Sequence, residues 1–138
     1  MVAAFVLDAS VAASWCFADE SSPSSEALRE SLTERKAIVP TLWHAECANL
    51  LLVAERRKRI TPARCAELLD LFDILPLETV DESERMRGPV MRLARAHRLT
   101  IYDATYLDLA IQRGIELATR DADLRRASRS AGVTLIDT

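Results

Sequence analysis

The sequence has little of what holds small extracellular or fibrous proteins together. Among its 138 residues there are three cysteines, three glycines and five prolines, and only 5% are aromatic. An odd number of cysteines without a CxxC pair excludes a disulfide framework, and two histidines leave no zinc-ligand spacing. The low glycine and proline content excludes a collagen-like or linker-like chain. We therefore expect an aliphatic, alanine-rich core.

Long hydrophobic runs are also missing. The first apolar run ends at Asp8 and follows no basic segment, which is unlike a signal peptide. The longest later run, residues 48–54, is short and is interrupted by Asn49. Neither run could span a bilayer, and free thiols suit a reducing compartment. These features predict a cytoplasmic protein with no membrane contact.

The charge is mild in total but uneven along the chain. A net charge of −3 does not by itself predict a polyanionic partner. However, residues 56–66 and residues 85–102 each contain five Lys or Arg residues and no acidic residue. The second segment sets Arg92, Arg95 and Arg98 on one side of a predicted helix. Such patches are either solvated helix faces or contacts for a phosphate backbone.

Short apolar segments alternate with amphipathic ones along the whole chain. Strands are predicted at residues 3–7, 37–39, 77–80, 115–118 and 133–136. Helices are predicted at residues 10–17, 23–36, 41–59, from 62, across a bend at 88–89 to 97, at 102–113 and at 122–130. This alternation predicts a single domain over residues 1–138. Its expected class is three-layer α/β/α, with a short, mainly parallel central sheet and helices on both faces.

Three aspartates follow predicted strands or begin predicted helices: Asp8, Asp103 and Asp121. In a parallel sheet, sites form beyond the carboxyl ends of the strands. Taken singly, each aspartate could instead be a helix N-cap, a position that favours this residue.

Glu46 lies inside a predicted helix, on a face that would also carry Leu42, Leu50 and Val53. A carboxylate on an apolar face needs a partner, which could be a distant arginine or a metal ion shared with the aspartates. Four carboxylates at one sheet edge would resist ionisation unless a cation lay among them. Oxygen ligands select Mg²⁺ or Mn²⁺, which suits phosphate-ester chemistry.

Four short motifs contain these acids, in this order along the chain: VLDASV at 6–11, PTLWHAECAN at 40–49, LTIYDA at 99–104 and ATRDADL at 118–124. Together they resemble the PIN-domain ribonucleases and, within them, the VapC-type toxins of bacterial toxin–antitoxin pairs. The resemblance implies a PIN-like domain. It also implies hydrolysis of RNA by a metal-activated water, which leaves a 5′-phosphate and a 3′-hydroxyl.

The resemblance assigns roles to particular residues. It implies that the catalytic, Mg²⁺- or Mn²⁺-binding acids are Asp8, Glu46, Asp103 and Asp121. Residues expected to support the site are Ser10, Asn49 and Thr119, with Asp123 as an optional further acid or simply a first-turn helix charge. Candidate RNA-binding residues are Arg92, Arg95 and Arg98. Asp108, five residues after Asp103, is expected to be a surface or salt-bridge residue.

The resemblance also implies partners. It suggests a homodimer and a VapB-type antitoxin that would lay a helix or tail in a groove and block the acidic pocket. Trp15, Phe17 and Trp43 could line that groove or could simply belong to the core.

Two other functions stay open at this point. One is a catalytically silent PIN-like module that binds RNA or protein. The other is a receiver-like signalling domain, although that would need a phospho-accepting aspartate where Pro40 and Thr41 stand.

Overall fold

The computed structural model describes residues 3–138, so the first two residues of the predicted domain lie outside the described part. Four strands form one sheet: β1 (Ala4–Leu7), β2 (Lys36–Pro40), β3 (Leu77–Val80) and β4 (Glu116–Ala118). Their order is β3-β2-β1-β4 and every pairing is parallel. The predicted class, with its mainly parallel sheet, is confirmed. The range 1–138 as one domain stays a prediction.

Seven α-helices surround the sheet: α1 (Ala9–Ser14), α2 (Pro23–Glu30), α3 (Leu42–Arg56), α4 (Pro62–Asp73), α5 (Met91–His97), α6 (Ile101–Arg113) and α7 (Ala122–Ala131). Local sequence explains several of their ends. Ser22 and Thr61 cap α2 and α4 through their side chains, and each is followed by a proline. Gly114 and Gly132 end α6 and α7 in the left-handed region, at φ of 63° and 78°. In the described part of the chain, no helix is long and apolar enough to cross a bilayer.

The strand order explains why helices cover both faces. From β1 the chain moves to β2 and then β3 in one direction, and it then crosses back to β4 on the other side of β1. Right-handed crossovers in opposite directions place their helices on opposite faces. The helices α1 to α4 therefore cover one face, and α5 and α6 cover the other. All four strands point their carboxyl ends at the same edge.

The core is aliphatic with a few large aromatic side chains. Phe5, Val6 and Leu7 in β1 are fully buried, as expected for a strand covered on both faces. Trp43 from α3 and Tyr106 from α6 are the largest side chains buried in the described residues. The core thus fastens α3 and α6 to the central strand, and both helices carry predicted site residues.

Three predicted elements differ most from the structure, and the helices predicted at 10–17 and 41–59 also end early, at Ser14 and Arg56. Residues 133–136 form no strand and make only one bridge, between Leu117 and Leu135, where Leu117 exchanges backbone hydrogen bonds with Thr134 and Ile136. The helix predicted over residues 23–36 ends at Glu30, and a 3₁₀ turn at Ser31–Thr33 leads to β2. The bend expected at Gly88 and Pro89 is a π-helical turn, Met86–Val90, which runs directly into α5. Proline has no N–H to donate there, so the wider turn accommodates it.

Candidate active site

Asp8 lies directly beyond the end of β1 and is buried. Although it occupies the N-cap position of α1, its side chain makes no capping bond. Its Oδ2 instead accepts hydrogen bonds from Ser10 Oγ at 2.6 Å and from Thr119 Oγ1 at 2.7 Å. Thr119 follows β4, so neighbouring strand ends hold this carboxylate together. Burial raises the pKa of Asp8, the two hydroxyls oppose the rise, and the charge of Asp121 adds to it.

Glu46 is half-buried on α3 and accepts a hydrogen bond at Oε1 from the Tyr106 hydroxyl, at 2.6 Å. Within residues 3–138 no arginine or lysine forms an ion pair with it, so the alternative of a distant arginine partner is not realised. Burial raises the pKa of Glu46, the Tyr106 bond lowers it, and the charge of Asp8 raises it again. The carboxylate of Glu46 is thus held near Asp8 by a hydrogen bond from the uncharged Tyr106 hydroxyl.

The prediction of which face of α3 is buried together with Glu46 is wrong. The buried residues of this helix are Trp43, Cys47, Leu51 and Ala54, whereas Leu50 is 40% exposed. The helix is apolar on more than one side, so sequence spacing could not decide which stripe meets the sheet. Glu46 consequently lies at the border of the buried stripe, where its carboxylate can face the strand ends.

Asp103 lies in the first turn of α6, which is capped by Thr100 and not by Asp103. Burial raises its pKa to about 7, with further contributions from the charges of Asp121, Asp8, Glu46 and Asp123. Three of these four charges belong to the other predicted site acids, so Asp103 shares one electrostatic environment with Asp8, Glu46 and Asp121.

Asp121 combines two arrangements that the sequence left open. It caps α7, since its Oδ2 accepts a hydrogen bond from the Leu124 N–H at 2.9 Å. Its charge also acts on Asp8 and Asp103, so it is at once a cap and a member of the acidic group. Asp123 points outward from the same helix and pairs with Arg126 at 3.7 Å, as a first-turn charge would.

Other predicted residues form no hydrogen bond or ion pair with these acids in the described part of the chain. Asn49 is exposed on α3, and its side chain has no hydrogen-bond partner among the described residues. Arg92, Arg95 and Arg98 are exposed on α5 and at its C-terminal end. In the described chain they form no ion pairs, which leaves them free for solvent or a ligand.

The structure decides between the alternatives left open for the three aromatics and for Asp108. Trp43 and Phe17 are buried and belong to the core, whereas Trp15 borders a surface cavity of about 800 Å³. Asp108 is not a surface residue, because it is buried. Its other predicted role, a salt bridge, is present: Asp108 accepts two hydrogen bonds from Arg85, at 2.6 and 3.0 Å.

Sequence reasoning missed Tyr106. On α6 it follows Asp103 by three residues, so both lie on one side of the helix. The sequence pattern predicts that a tyrosine in such a helical stripe belongs to the core, and the ring of Tyr106 is indeed fully buried. Its phenolic oxygen could have indicated a further role, since a buried hydroxyl must find a hydrogen-bond partner.

The donor set fits a hard divalent cation. All the candidate ligands are carboxylate oxygens, which suit Mg²⁺ or Mn²⁺ and not zinc. Burial and mutual repulsion disfavour ionisation of these acids, and a cation placed among them would reverse both effects. Among residues 3–138, however, no three acidic, histidine or cysteine side chains already surround a common point. Side-chain rotation would therefore have to bring the carboxylates together around a metal ion.

Comparison with known proteins identifies the family. Residues 5–130 match the PIN domain family over most of the chain. This protein belongs to the PIN-domain family. The resemblance seen in its four motifs is thereby confirmed, and the receiver-like alternative is set aside. PIN-domain nucleases generally use divalent metal ions.

Solved structures share this PIN fold. PAE2754 from Pyrobaculum aerophilum superposes with a TM-score of 0.72 at 22% identity, covering 98% of this chain and 90% of that one. VapBC2 from Rickettsia felis, bound to a DNA fragment from its promoter, gives 0.68 at 14% identity and 96% coverage of both chains. VapC20 from Mycobacterium tuberculosis, a toxin that cleaves the sarcin–ricin loop, gives 0.64 at 13% identity, covering 89% and 94%. Among curated proteins, none matches this sequence.

Proposed function

We propose that this PIN domain is a metal-dependent endoribonuclease and the toxin of a toxin–antitoxin pair. One observation carries the proposal. Burial and neighbouring carboxylate charges raise the pKa of Asp8, Glu46 and Asp103, and no basic side chain of the described residues pairs with these three acids or with Asp121. An uncompensated acidic group is costly for a fold to keep, so its retention supports a cationic ligand.

In this proposal the metal would be held by Asp8, Glu46, Asp103 and Asp121. Bound Mg²⁺ or Mn²⁺ would supply a water of lowered pKa and stabilise the oxygen that leaves the cleaved phosphodiester. Ser10 and Thr119 fix the carboxylate of Asp8 through its Oδ2, and Tyr106 fixes that of Glu46. Cleavage would leave a 5′-phosphate and a 3′-hydroxyl.

The roles of the remaining residues also stay proposals. Arg92, Arg95 and Arg98 would contact the RNA backbone from α5 and its end, since exposed unpaired arginines are suited to phosphate. Asn49 would reach Glu46 or the metal's water by a hydrogen bond from one turn along α3. Asp123, already paired with Arg126, would contribute at most a first-turn charge.

The proposed partner is a VapB-type antitoxin, and the chain is proposed to form a homodimer in the cytoplasm. A toxin–antitoxin complex from Klebsiella pneumoniae contains a chain of this fold, with a TM-score of 0.54 at 15% identity. The cavity bordered by Trp15 also takes in Leu68, Leu71, Phe72 and Ile74, an apolar surface suited to an amphipathic helix. Ile74 is 76% exposed, which is costly for a large apolar side chain that never meets a partner.

The test is metal-dependent cleavage of total cellular RNA, with the new 5′ ends sequenced. Wild-type protein should produce discrete ends with Mg²⁺ or Mn²⁺ and none with chelator. Asp8→Asn and Asp103→Asn should each reduce cleavage by about a hundredfold or more, because each removes a proposed metal ligand. Asp70→Asn is the matched control, since Asp70 is an exposed carboxylate on α4 and is not one of the proposed metal ligands.

The proposal fails if Asp8→Asn and Asp103→Asn cleave as fast as Asp70→Asn. Folded protein that neither cleaves RNA nor binds Mn²⁺ in calorimetry would instead support the catalytically silent binding module.

A further inference from the structure

Two arginines beside the acidic site carry charges that the protein does not neutralise. Within residues 3–138 four arginines are half-buried. Arg35 and Arg85 lie against carboxylates, those of Glu116 and Asp108. The other two, Arg120 and Arg125, have no carboxylate within ion-pair distance in the described chain. A partly desolvated cation without a counter-charge is unusual and calls for an anionic ligand.

Both guanidinium groups are held in place by neutral acceptors. Arg120 donates through Nη1 to the carbonyl of Glu20 and through Nη2 to Ser22 Oγ, the latter at 3.2 Å. Arg125 donates through Nη1 to the carbonyl of Thr119 at 2.8 Å. Since a guanidinium has five N–H donors, most of them remain for a ligand. The two groups are thus fixed in advance without losing their charge.

They border a surface cavity of about 460 Å³ together with Ser24, Asp137 and Thr138. This cavity adjoins the acidic site through one residue, because Arg120 stands between Thr119 and Asp121. The Arg120 N–H donates to Ser10 Oγ at 3.0 Å, and Ser10 in turn donates to Asp8. The parallel bridge at Leu135 brings the last residues to the same sheet edge.

We propose that this cavity binds a backbone phosphate of the RNA next to the one that is cleaved. Guanidinium groups match the geometry of phosphate oxygens, and both arginines can offer paired donors. Ser24 adds a hydroxyl from the first turn of α2, where the helix end is positive. The inference rests on the proposed function, since it supplies a second attachment point for the same substrate.

Asp137 gives the cavity a competing anion. Asp137 is exposed, borders the same cavity as the two arginines and forms no ion pair among the described residues. A bound phosphate would be repelled by this charge. Removal of the charge should therefore strengthen phosphate binding, whereas removal of an arginine should weaken it.

The experiment measures binding of a short fluorescein-labelled oligouridylate in chelator, so that cleavage cannot occur. Arg125→Gln should bind about tenfold more weakly, and its slope of log K against log salt should be smaller by about 0.7, the value for one single-strand phosphate contact. Arg129→Gln is the matched control, because Arg129 is exposed on the same helix. It should retain both the affinity and the slope of the wild type.

Asp137→Asn keeps the test valid if Arg125→Gln folds poorly, since it should bind the oligonucleotide more tightly than the wild type. The inference is overturned if Arg125→Gln and Asp137→Asn both behave like Arg129→Gln, or if wild-type protein does not bind the probe. A second arm adds inorganic phosphate at constant ionic strength. A gain in melting temperature that depends on Arg125, with an unchanged RNA slope, would assign the cavity to free phosphate and also overturn the inference.

The proposed function fails on different evidence. Metal-dependent cleavage that requires Asp103, with normal RNA binding by Arg125→Gln, overturns the phosphate site alone. Weakened binding by Arg125→Gln, with cleavage unaffected by Asp103→Asn, overturns the metal-dependent nuclease alone.

Discussion

At the scale of single residues, the orientation of Glu46 depends on one phenolic hydroxyl. Tyr106 donates to Glu46 Oε1 at 2.6 Å, and its ring is fixed because it is packed in the core. A hydrogen bond to a charged acceptor is shorter and stronger than one between neutral groups. Because the ring of Tyr106 cannot move, its hydroxyl holds the Glu46 carboxylate in one orientation.

We predict that Tyr106→Phe weakens Mn²⁺ binding several-fold, because Glu46 loses its only hydrogen-bond donor among the described side chains. The variant should also lose about 1.5–3 kcal/mol of unfolding free energy, the usual contribution of a hydrogen bond to a charged group. Calorimetric titration with Mn²⁺ and urea unfolding measure the two effects.

Tyr102→Phe is the matched control, since Tyr102 is on the same helix but 63% exposed. If both variants bind Mn²⁺ equally well, Tyr106 has only a packing role.

At the scale of elements, a salt bridge joins the segment between β3 and α5 to helix α6. Arg85 makes a two-pronged bond to the buried Asp108, and Glu82, which is 2% exposed, lies 4.0 Å from the same guanidinium. One arginine thus faces two buried carboxylates. Burial raises the pKa of Glu82 to about 7, and the neighbouring Asp108 adds to the rise. Glu82 is the member of the trio that is left without a hydrogen-bond partner at Oε2.

The pKa of Glu82 makes the stability of this region depend on pH. In the unfolded chain the carboxyl has its ordinary pKa of 4.5, so between pH 4.5 and about 7 the folded state binds more protons than the unfolded state. Stability is therefore lost as the pH rises through this window. Glu82→Gln should match the wild type below pH 4.5 and exceed it by about 3 kcal/mol above pH 7.

Urea unfolding at pH 4 and pH 8 measures this difference, and Glu84→Gln is the control because Glu84 is exposed in the same turn. A Glu82→Gln variant that gains nothing at pH 8 over Glu84→Gln would mean that Glu82 is ionised at no cost.

At the scale of the whole molecule, four elements that are distant in sequence bring negative charges to one sheet edge. The resulting repulsion opposes folding in the absence of a cation. A ligand that binds only the folded state stabilises it by an amount that grows with the logarithm of its concentration over Kd.

We therefore predict that Mg²⁺ or Mn²⁺ raises the melting temperature. At about one hundred times Kd the gain should be about 2.7 kcal/mol of unfolding free energy, which corresponds to several degrees. Scanning calorimetry with metal and with chelator measures it. Asp103→Asn should respond less than the wild type, and Asp70→Asn should respond equally. An equal response in all three proteins would place the bound ion elsewhere.

Much of the fold follows from short-range chemistry. Apolar runs bounded by helix signals predicted β1 to β4, and Ser22 with Pro23 and Thr61 with Pro62 marked two helix starts. The expected strand at 133–136 is reduced to a bridge, because only Leu117 of β4 exchanges backbone hydrogen bonds with this segment. That pairing is a tertiary contact and cannot be read from residues 133–136.

The sequence by itself determined the α/β class, the family and which acids are candidates for the site, because these depend on periodicity and on residues close together in the chain. The resemblance named Thr119 as a supporting residue, but only the tertiary structure shows that its hydroxyl binds Asp8, that Asp8 does not cap α1, and that Tyr106 reaches Glu46. The tertiary structure also decided that Arg120 and Arg125 stand uncompensated beside the acids. These pairings join residues that are far apart in the chain, and their distances exist only once the sheet order and the buried face of each helix are set.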